Sequence, residues 1–315
     1  MGAYVNGVHC LQMLPPDDSS ARARLKRLAQ MGVTAGVWQV WLQRPPHLVP
    51  RLRSSPWWRK EDFPWTELLE RNFPAIREEV LALLSFNSRS EPSRNGSSGQ
   101  PNDVFTPVGG RAAHDHTLVV AGEWKEFPLF GNGESTARST TPLWWAPCLS
   151  YPTISICFAL DCILHPRSPP PPRALSPPLP VAGRKYEQSC ARCPVTAKTM
   201  EYVPAAIELA MAGGGETLFS TLKPGTHLRP HCGSTNARLT CHMGIIVPAG
   251  CTIRCGEEWR GWKEGECIVF DDSWEHEVFH RGESDRIVLL INFWHPDLPA
   301  DQRRIQLNTH GYEPI

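Results

Sequence analysis

Six short runs of β-branched and aromatic residues between positions 217 and 293 constrain the fold of this chain more than any other feature. Turn-forming pairs such as Pro224-Gly225 and Glu264-Gly265 separate the runs, and no helical pattern falls between them. The runs cover residues 217–222, 239–247, 252–255, 266–270, 275–279 and 286–293. Short consecutive strands without intervening helices form antiparallel double sheets. The sequence therefore predicts a mainly β fold, with a double-stranded β-helix of the jelly-roll or cupin-like kind as its core.

Helical patterns precede this β region. Residues 19–30 begin with serine and contain strong helix formers, so they predict a short helix. Residues 65–84 carry apolar side chains at helical spacing, but Pro74 interrupts them and predicts two helical pieces. We therefore expect N-terminal helices followed by the β core.

Proline accounts for 31 of the 315 residues, and the densest stretch lies at residues 166–180. Such a stretch favours a solvated polyproline conformation, either as a passive linker or as a ligand for SH3- or WW-type domains. The expected organisation is an N-terminal extension with a short helix (1–50), a helical part with the first strands (51–132), a proline-rich insert expected to be disordered (133–185), the jelly-roll core (186–299) and a C-terminal tail (300–315).

The charge balance excludes some partners. Lysine and arginine total 32, aspartate and glutamate also total 32, and such a neutral chain has no overall attraction for nucleic acid. The apolar run at 143–164 contains prolines and Asp161, so no membrane span is expected there. The first 30 residues show no secretory signal. The chain is predicted to be soluble, and its compartment is left undecided.

Eleven cysteines form no readable disulfide framework in a chain of this length. Cys190 and Cys193 form a Cys-x-x-Cys pair, but zinc would require a second pair at suitable spacing. The pair is interpreted as structural or as a loop disulfide. His227 is interpreted as a loop side chain, and the charged residues at 257–263 as a solvated hairpin tip.

Two histidines and an arginine inside the β region carry the chemistry. His231 lies in a turn segment, His276 enters a strand, and Arg286 begins the last apolar strand. Imidazoles from separate strands can converge at the mouth of a barrel, where they suit iron, copper or zinc. A guanidinium deeper in the barrel offers a planar fork to a carboxylate. This combination is what a 2-oxoglutarate-dependent iron oxygenase requires.

The third ligand of the usual iron site is a carboxylate. It normally stands two residues after the first histidine, where this chain has Gly233. Asp271 and Asp272 come later, and they are interpreted as turn caps. The residues alone thus predict a two-histidine site in which water or an anion takes the third position.

The stretch from residue 218 to residue 298 resembles the catalytic domain of the aspartyl/asparaginyl β-hydroxylase family. The resemblance rests on these motifs: Pro224-Gly225-Thr226-His227, Pro230-His231-Cys232-Gly233, Thr235-Asn236-Ala237-Arg238-Leu239, His242-Met243-Gly244, Phe270-Asp271-Asp272-Ser273-Trp274-Glu275-His276, and Trp294-His295-Pro296-Asp297-Leu298. Weaker similarity upstream includes Pro56-Trp57-Trp58 and Gly122-Glu123-Trp124. The family also carries glycine at the carboxylate position, so Gly233 agrees with the resemblance.

The resemblance implies a role for each matching residue. His231 and His276 are expected to bind Fe(II), and Arg286 is expected to pair with the distal carboxylate of 2-oxoglutarate. The other implied contacts are Ser220, His242 and Trp124 for the same cosubstrate and Arg238 for the substrate. One departure is Thr240, where the family commonly has a second basic residue.

The implied reaction consumes O₂ and 2-oxoglutarate and hydroxylates the β-carbon of an aspartyl or asparaginyl residue in a peptide or protein. Family members often work in the secretory lumen behind an anchor, and none is visible here. Two alternatives stay open. The first is a non-catalytic jelly-roll binding module with a vestigial site, motivated by Thr240 and the proline-rich insert. The second is halogenation, since glycine at the carboxylate position leaves room for a halide on the iron.

Overall fold

The computed structural model describes residues 2–12, 14–15, 18–89, 104–108, 118–132 and 183–303. The chain divides into two compact units, and the larger one contains Leu42–Gly133 and Pro180–Ile315. The division after Trp41 differs from the boundary expected at residue 50, because residues 42–49 hydrogen-bond to the β core. Residues 133–182, which include the apolar run at 143–164 and most of the expected insert, lie outside the described residues.

The smaller unit contains two helices in its described part. Helix α1 spans Gly2–Gln12, and α2 spans Ser19–Thr34, which confirms the helix predicted from residue 19 and extends it. The Asp18 side chain caps α2 by accepting a hydrogen bond from the backbone N–H of Ala21 at 2.9 Å.

The larger unit contains thirteen strands in its described part. Their bounds are β1 Trp57–Trp58, β2 Thr106–Pro107, β3 Val119–Ala121, β4 Trp124–Asn132, β5 Gly183–Lys185, β6 Thr217–Leu222, β7 His227–His231, β8 Arg238–Ile246, β9 Cys251–Cys255, β10 Glu258–Gly261, β11 Cys267–Phe270, β12 His276–His280 and β13 Arg286–Trp294. All pairings between these strands are antiparallel.

The strands form two sheets with the topology of a jelly roll. The large sheet has the order β1-β11-β8-β13-β6-β4-β2, with β5 paired to β4, and the small sheet has the order β10-β9-β12-β7-β3. From β6 to β13 the chain passes back and forth between the two sheets, which is the winding of a double-stranded β-helix. The predicted fold class is confirmed.

Side chains on the last strand alternate between two cores. Ile287 and Leu289 belong to the core on the outer face of the large sheet, whereas Val288 belongs to the core inside the barrel. The interior core also contains Phe270 and Trp262. Arg286 shares the parity of Val288, so it begins on the interior side.

Helices cover the outer face of the large sheet. Helix α3 spans Trp65–Arg89, and three short helices follow the insert: α4 Glu187–Arg192, α5 Pro194–Met200 and α6 Pro204–Met211. The prediction of two helical pieces around Pro74 is wrong, because α3 continues through it. Pro74 is exposed, while Leu69, Ile76 and Val80 form one buried face on both sides of it.

Two of the eight core strands escaped the sequence patterns. Strand β7 includes the segment that was predicted to be loop and turn, and β10 lies inside the predicted hairpin tip. Among the described residues, no helix has both the length and the apolarity that a bilayer crossing requires.

Candidate active site

His231 and His276 face each other across two paired strands. His231 ends β7 and His276 begins β12, and their Cα atoms are direct partners in the register. Their ring centroids lie 4.0 Å apart with an angle of 53° between the planes. The structure thus brings together the two imidazoles that the sequence predicted as ligands, at one end of the barrel.

Each of these rings is oriented by its own backbone. His231 Nδ1 lies 2.7 Å from the carbonyl oxygen of Arg229, and His276 Nδ1 lies 3.0 Å from that of Trp274. A carbonyl oxygen only accepts, so Nδ1 carries the proton in both rings and Nε2 presents its lone pair. This arrangement holds metal-binding imidazoles in the ligating tautomer.

Burial keeps His276 neutral. Removal of the ring from water lowers its pKa to about 4, against the opposing effect of the hydrogen bond to the Trp274 carbonyl. A neutral imidazole is the form that binds a metal ion.

The carboxylate of Asp272 lies against Gly233, the position at which the usual iron site carries its own carboxylate ligand. An ideal Cβ on Gly233 would lie 2.8 Å from Cγ and Oδ1 of Asp272. Asp272 Oδ2 accepts a hydrogen bond from Arg238 Nη2 at 3.2 Å, and Oδ1 has no partner among the described residues. No group of three or more His, Cys, Asp or Glu side chains suited to a metal occurs in this part of the chain. His231 and His276 are thus the candidate protein ligands at this site.

A cation with unsatisfied donors lies deeper in the barrel. Arg286 is 2% exposed, and within the described residues its Nε and Nη1 atoms have no hydrogen-bond partner. Its guanidinium carbon lies 4.7 Å from the ring centroid of Trp262. Burial lowers the pKa of Arg286 to about 10, so the group is still charged at neutral pH.

His242 interacts electrostatically with both Arg286 and His276. Burial first, then the charge of Arg286, lowers its pKa well below the ordinary value. Neither ring nitrogen has a partner in the described part of the protein. The ring packs edge-on against Phe270 and parallel to Trp262. A neutral histidine and an arginine thus present spare donors to the same interior space.

Two further predicted residues contact each other directly. Trp124 Nε1 donates a hydrogen bond to Ser220 Oγ at 3.0 Å, because β4 and β6 are neighbours in the large sheet. Thr240, the departure from the family pattern, is buried and accepts a hydrogen bond from Asn292 Nδ2 at 2.9 Å. This position therefore adds no charge to the interior.

Arg238 is held from two sides. Besides Asp272, it donates from Nη1 to the carbonyl oxygen of Gly214 at 2.9 Å. It begins β8, and its Cα pairs with that of Trp294 at the end of β13. Asp272 thus links Arg238, the residue predicted to contact the substrate, to the loop that carries Gly233.

A segment that the sequence did not assign to the site is hydrogen-bonded next to both His231 and His276. The Leu42 carbonyl accepts from the Glu275 N–H at 2.6 Å, and the His47 N–H donates to the Ser234 carbonyl at 3.0 Å. Arg44 Nη2 donates to Glu275 Oε2 at 2.6 Å, and both side chains are fully buried. We call residues 42–49 the strap. The strap fixes the loop after His231 and the residue before His276.

Several secondary predictions are corrected or confirmed. His227 is wrong as a loop residue, because it begins β7, stacks on Phe279 at 4.1 Å and pairs with Glu277 Oε1 at 3.0 Å. The loop-disulfide alternative for Cys190 and Cys193 is wrong, since both are free, buried thiols. Asp271 is confirmed as a turn cap, because Oδ1 accepts the Ser273 N–H at 3.0 Å.

The donor set fits the implied groups. Two imidazoles whose Nδ1 atoms face backbone carbonyl oxygens suit a divalent iron ion whose other positions are taken by small molecules. The unsatisfied nitrogens of Arg286 and His242 suit the carboxylate of an acid lying in the barrel, because buried donors without partners are costly unless a ligand satisfies them.

Comparison with known proteins agrees with this geometry. A family model described as Aspartyl/Asparaginyl beta-hydroxylase matches residues 70–296. The Homo sapiens protein named Aspartyl/asparaginyl beta-hydroxylase is 30% identical over 277 residues, which are 87% of this chain and 26% of that protein. The Homo sapiens protein named Aspartate beta-hydroxylase domain-containing protein 1 is 36% identical over 147 residues, covering 43% and 37% of the two chains.

Similarity to solved structures is lower. A Cupin 2 conserved barrel domain protein from Salinispora arenicola CNS-205 is 10% identical, with a TM-score of 0.22, over 30% of this chain and 71% of that one. The chain spans about a quarter of the Homo sapiens Aspartyl/asparaginyl beta-hydroxylase, since the match covers 26% of that protein.

Proposed function

Because this chain belongs to the aspartyl/asparaginyl β-hydroxylase family, we propose that it is an Fe(II)- and 2-oxoglutarate-dependent dioxygenase that hydroxylates aspartyl or asparaginyl residues in peptides or proteins. The observation that carries the proposal is the pairing of His231 with His276 beside an interior cation. Binding of a partner alone would not require that His231 and His276 meet in the ligating tautomer beside a buried Arg286 with unsatisfied donors.

The two histidines would hold the iron. Their Nδ1 protons point to the backbone carbonyl oxygens of Arg229 and Trp274, so Nε2 is the nitrogen of each ring that would bind the ion. Gly233 contributes no ligand, and two protein ligands leave more coordination positions for the cosubstrate and O₂ than three would.

The interior would hold 2-oxoglutarate. Arg286 offers the distal carboxylate a planar pair of donors, and His242 adds a neutral donor from β8. Ser220 borders the same space, held by Trp124. The bound ion and cosubstrate together supply the oxidation of a C–H bond by O₂, with release of succinate and CO₂.

The walls of the barrel would keep water away from this chemistry. Phe270, Trp262 and Val288 line the interior, and Phe270 lies 5.8 Å from the ring of His276. A dry, apolar site strengthens the attraction between Arg286 and a carboxylate and protects reactive species from side reactions.

Arg238 would contact the substrate. Its guanidinium already donates a hydrogen bond to Asp272, so the side chain is held in place at the beginning of β8 before a peptide binds. A preorganised arginine recognises a carboxylate or an amide oxygen at a lower cost in conformational entropy than a mobile one.

A non-catalytic binding module with a vestigial site is the second candidate. The observation that favours it is Thr240, which removes a basic residue from the interior and instead bonds to Asn292. This candidate predicts a protein that binds neither iron nor 2-oxoglutarate.

The test is an anaerobic titration of the purified chain with Fe(II) and 2-oxoglutarate. We expect a visible charge-transfer band of the chelate, and succinate formation once O₂ is admitted. His231→Ala and His276→Ala should abolish both signals. His227→Gln is the matched control, because it alters another imidazole of β7 that pairs with Glu277, and it should retain both. Absence of the band in the unmodified chain would favour the binding module.

A further inference from the structure

His280, the second histidine of β12, contacts Cys251 at the end of the strand that lies away from His276. His280 ends β12, Cys251 begins β9, and their Cα atoms are partners in the register. Both are almost fully buried. His276 and Cys255 form the same kind of pair four residues away, so the two pairs lie about 13 Å apart along the strands at ~3.3 Å per residue.

The protonation of His280 follows from its neighbours. Its Nε2 lies 2.8 Å from the carbonyl oxygen of Ser284, so Nε2 carries the proton and Nδ1 is an acceptor. Two donors approach this Nδ1: Cys251 Sγ at 3.1 Å and the Gly282 N–H at 3.2 Å. One lone pair cannot satisfy both well. The thiol is therefore a donor that can turn to a better acceptor while Gly282 keeps the imidazole occupied.

A buried cation lies at the same core as this thiol. Cys251 belongs to the interior core that also contains Trp262, and the guanidinium carbon of Arg286 lies 4.7 Å from the centroid of that ring. The charge of Arg286 also lowers the pKa of the thiol, against the larger raising effect of burial. The guanidinium is buried, and across the described residues its Nε and Nη1 atoms meet no acceptor. A cation with unsatisfied donors and a thiol with a displaceable hydrogen bond thus contact the same interior core.

We propose that Cys251 is a positioning residue for the distal carboxylate of 2-oxoglutarate, to which its S–H donates beside the Arg286 guanidinium, and that His280 holds the thiol ready when no acid is bound. The inference rests on the proposed function. A thiol adds a hydrogen-bond donor without adding a second charge, so the subsite would take a single carboxylate group.

The experiment measures binding of 2-oxoglutarate to the full chain by titration calorimetry, with Mn²⁺ in place of Fe(II) so that no turnover occurs. Cys251→Val keeps the volume but removes the donor, and Cys251→Ser keeps a donor. Cys267→Val is the matched control, because it removes a buried strand thiol on the outer face of the large sheet. We expect about tenfold weaker binding for C251V, as for loss of a hydrogen bond to a charged group, and within about threefold of the unmodified chain for C251S. C267V should be unchanged.

The outcomes separate the two proposals. An unmodified chain that binds no 2-oxoglutarate overturns the proposed function. If the unmodified chain binds and C251V binds equally well, only the role of Cys251 is overturned. The same conclusion follows if C251S loses as much affinity as C251V, because packing rather than donation would then be at work. Should C251V not fold, C251A is measured against the same criteria.

Discussion

The carboxylate of Asp272 occupies the place where a side chain of Gly233 would begin. A Cβ on Gly233 would lie within 2.9 Å of all three carboxylate atoms, closer than real contacts allow. The Gly233 N–H also donates to the Asp272 carbonyl oxygen at 2.7 Å. The loops that follow His231 and precede His276 are therefore packed together at this point, and the packing requires glycine.

Substitution of Gly233 tests this packing. We expect Gly233→Ala to lower the free energy of unfolding by about 1–3 kcal/mol, the usual cost of overpacking, because the Asp272 carboxylate must leave its place against Gly233. Under the proposed function, metal binding should weaken as well, since this contact lies between His231 and His276. In a double-mutant cycle, Asp272→Ala should remove part of the destabilisation that Gly233→Ala causes. The coupling free energy between the two substitutions should be roughly 1 kcal/mol or more. Urea unfolding of the four proteins measures the coupling. Additive effects would show that the two residues do not compete for this space.

Substitution of Arg286 should have opposite effects on 2-oxoglutarate binding and on the stability of the fold. Arg286→Met removes the partner of the distal carboxylate, so 2-oxoglutarate binding should fall by at least about a hundredfold. The same change replaces a buried, incompletely satisfied cation with an apolar side chain of similar length, and such replacements are often neutral or stabilising by about 1–4 kcal/mol. Calorimetric titration and thermal unfolding measure the two effects. A clear loss of stability in the ligand-free variant would contradict the view that the cation is held for a ligand.

The sequence patterns predicted six of the eight core strands, and the two that they missed have physical reasons. Strand β7 contains Pro230, which lacks an N–H donor, and its pairing with β12 is irregular near this point. Strand β10 is a four-residue edge strand whose side chains face mostly solvent, so it shows no apolar alternation. The break predicted at Pro74 failed because the buried face of α3 continues on both sides of it.

The site residues that lie within recognised sequence motifs could be predicted from the sequence. His231, His276, Arg286 and His242 are all found at the barrel interior or its mouth. The bonds of His231 and His276 to backbone carbonyls, and the nitrogens of Arg286 and His242 that are unsatisfied within the described residues, follow only from the three-dimensional structure. The strap had no motif, because its bonds are mostly backbone bonds to distant loops. The contact of Cys251 with His280 likewise depends on strand register, which short-range patterns do not reveal.

The buried ion pair between the strap and β12 should be strongly stabilising as long as both partners are present. Arg44→Met leaves Glu275 buried with Arg254 as its remaining ion-pair partner. We expect a loss of about 2–4 kcal/mol in the free energy of unfolding and weaker metal binding, because Glu275 precedes His276. Arg53→Met is the matched control: it breaks an ion pair with Asp297 that is largely exposed, and stability should be nearly unchanged. Equal effects of the two variants in urea unfolding would exclude a special role for the strap.

Asp271 should make stability depend on pH between about 4 and 8. Burial raises the pKa of this carboxyl from 3.8 to about 8, against the lowering effect of its hydrogen bonds to Ser273. Between these pH values the folded protein binds a proton that the unfolded chain has lost, so its contribution is complete at low pH and disappears as the pH rises towards 8. His276, whose pKa is lowered to about 4, acts in the opposite sense up to the ordinary histidine pKa.

Comparison with Asp271→Asn isolates this contribution. The amide cannot ionise, so the stability of D271N relative to the unmodified chain should improve steadily as the pH is raised from about 5 to about 8. Urea midpoints at three pH values in this range measure the trend. Asp297→Asn is the control, because the Arg53 hydrogen bond lowers the pKa of Asp297 and places its titration below the range. A constant difference between D271N and the unmodified chain would mean that Asp271 is already ionised at pH 5, and that its contacts with Ser273 and Gln43 outweigh the cost of burial.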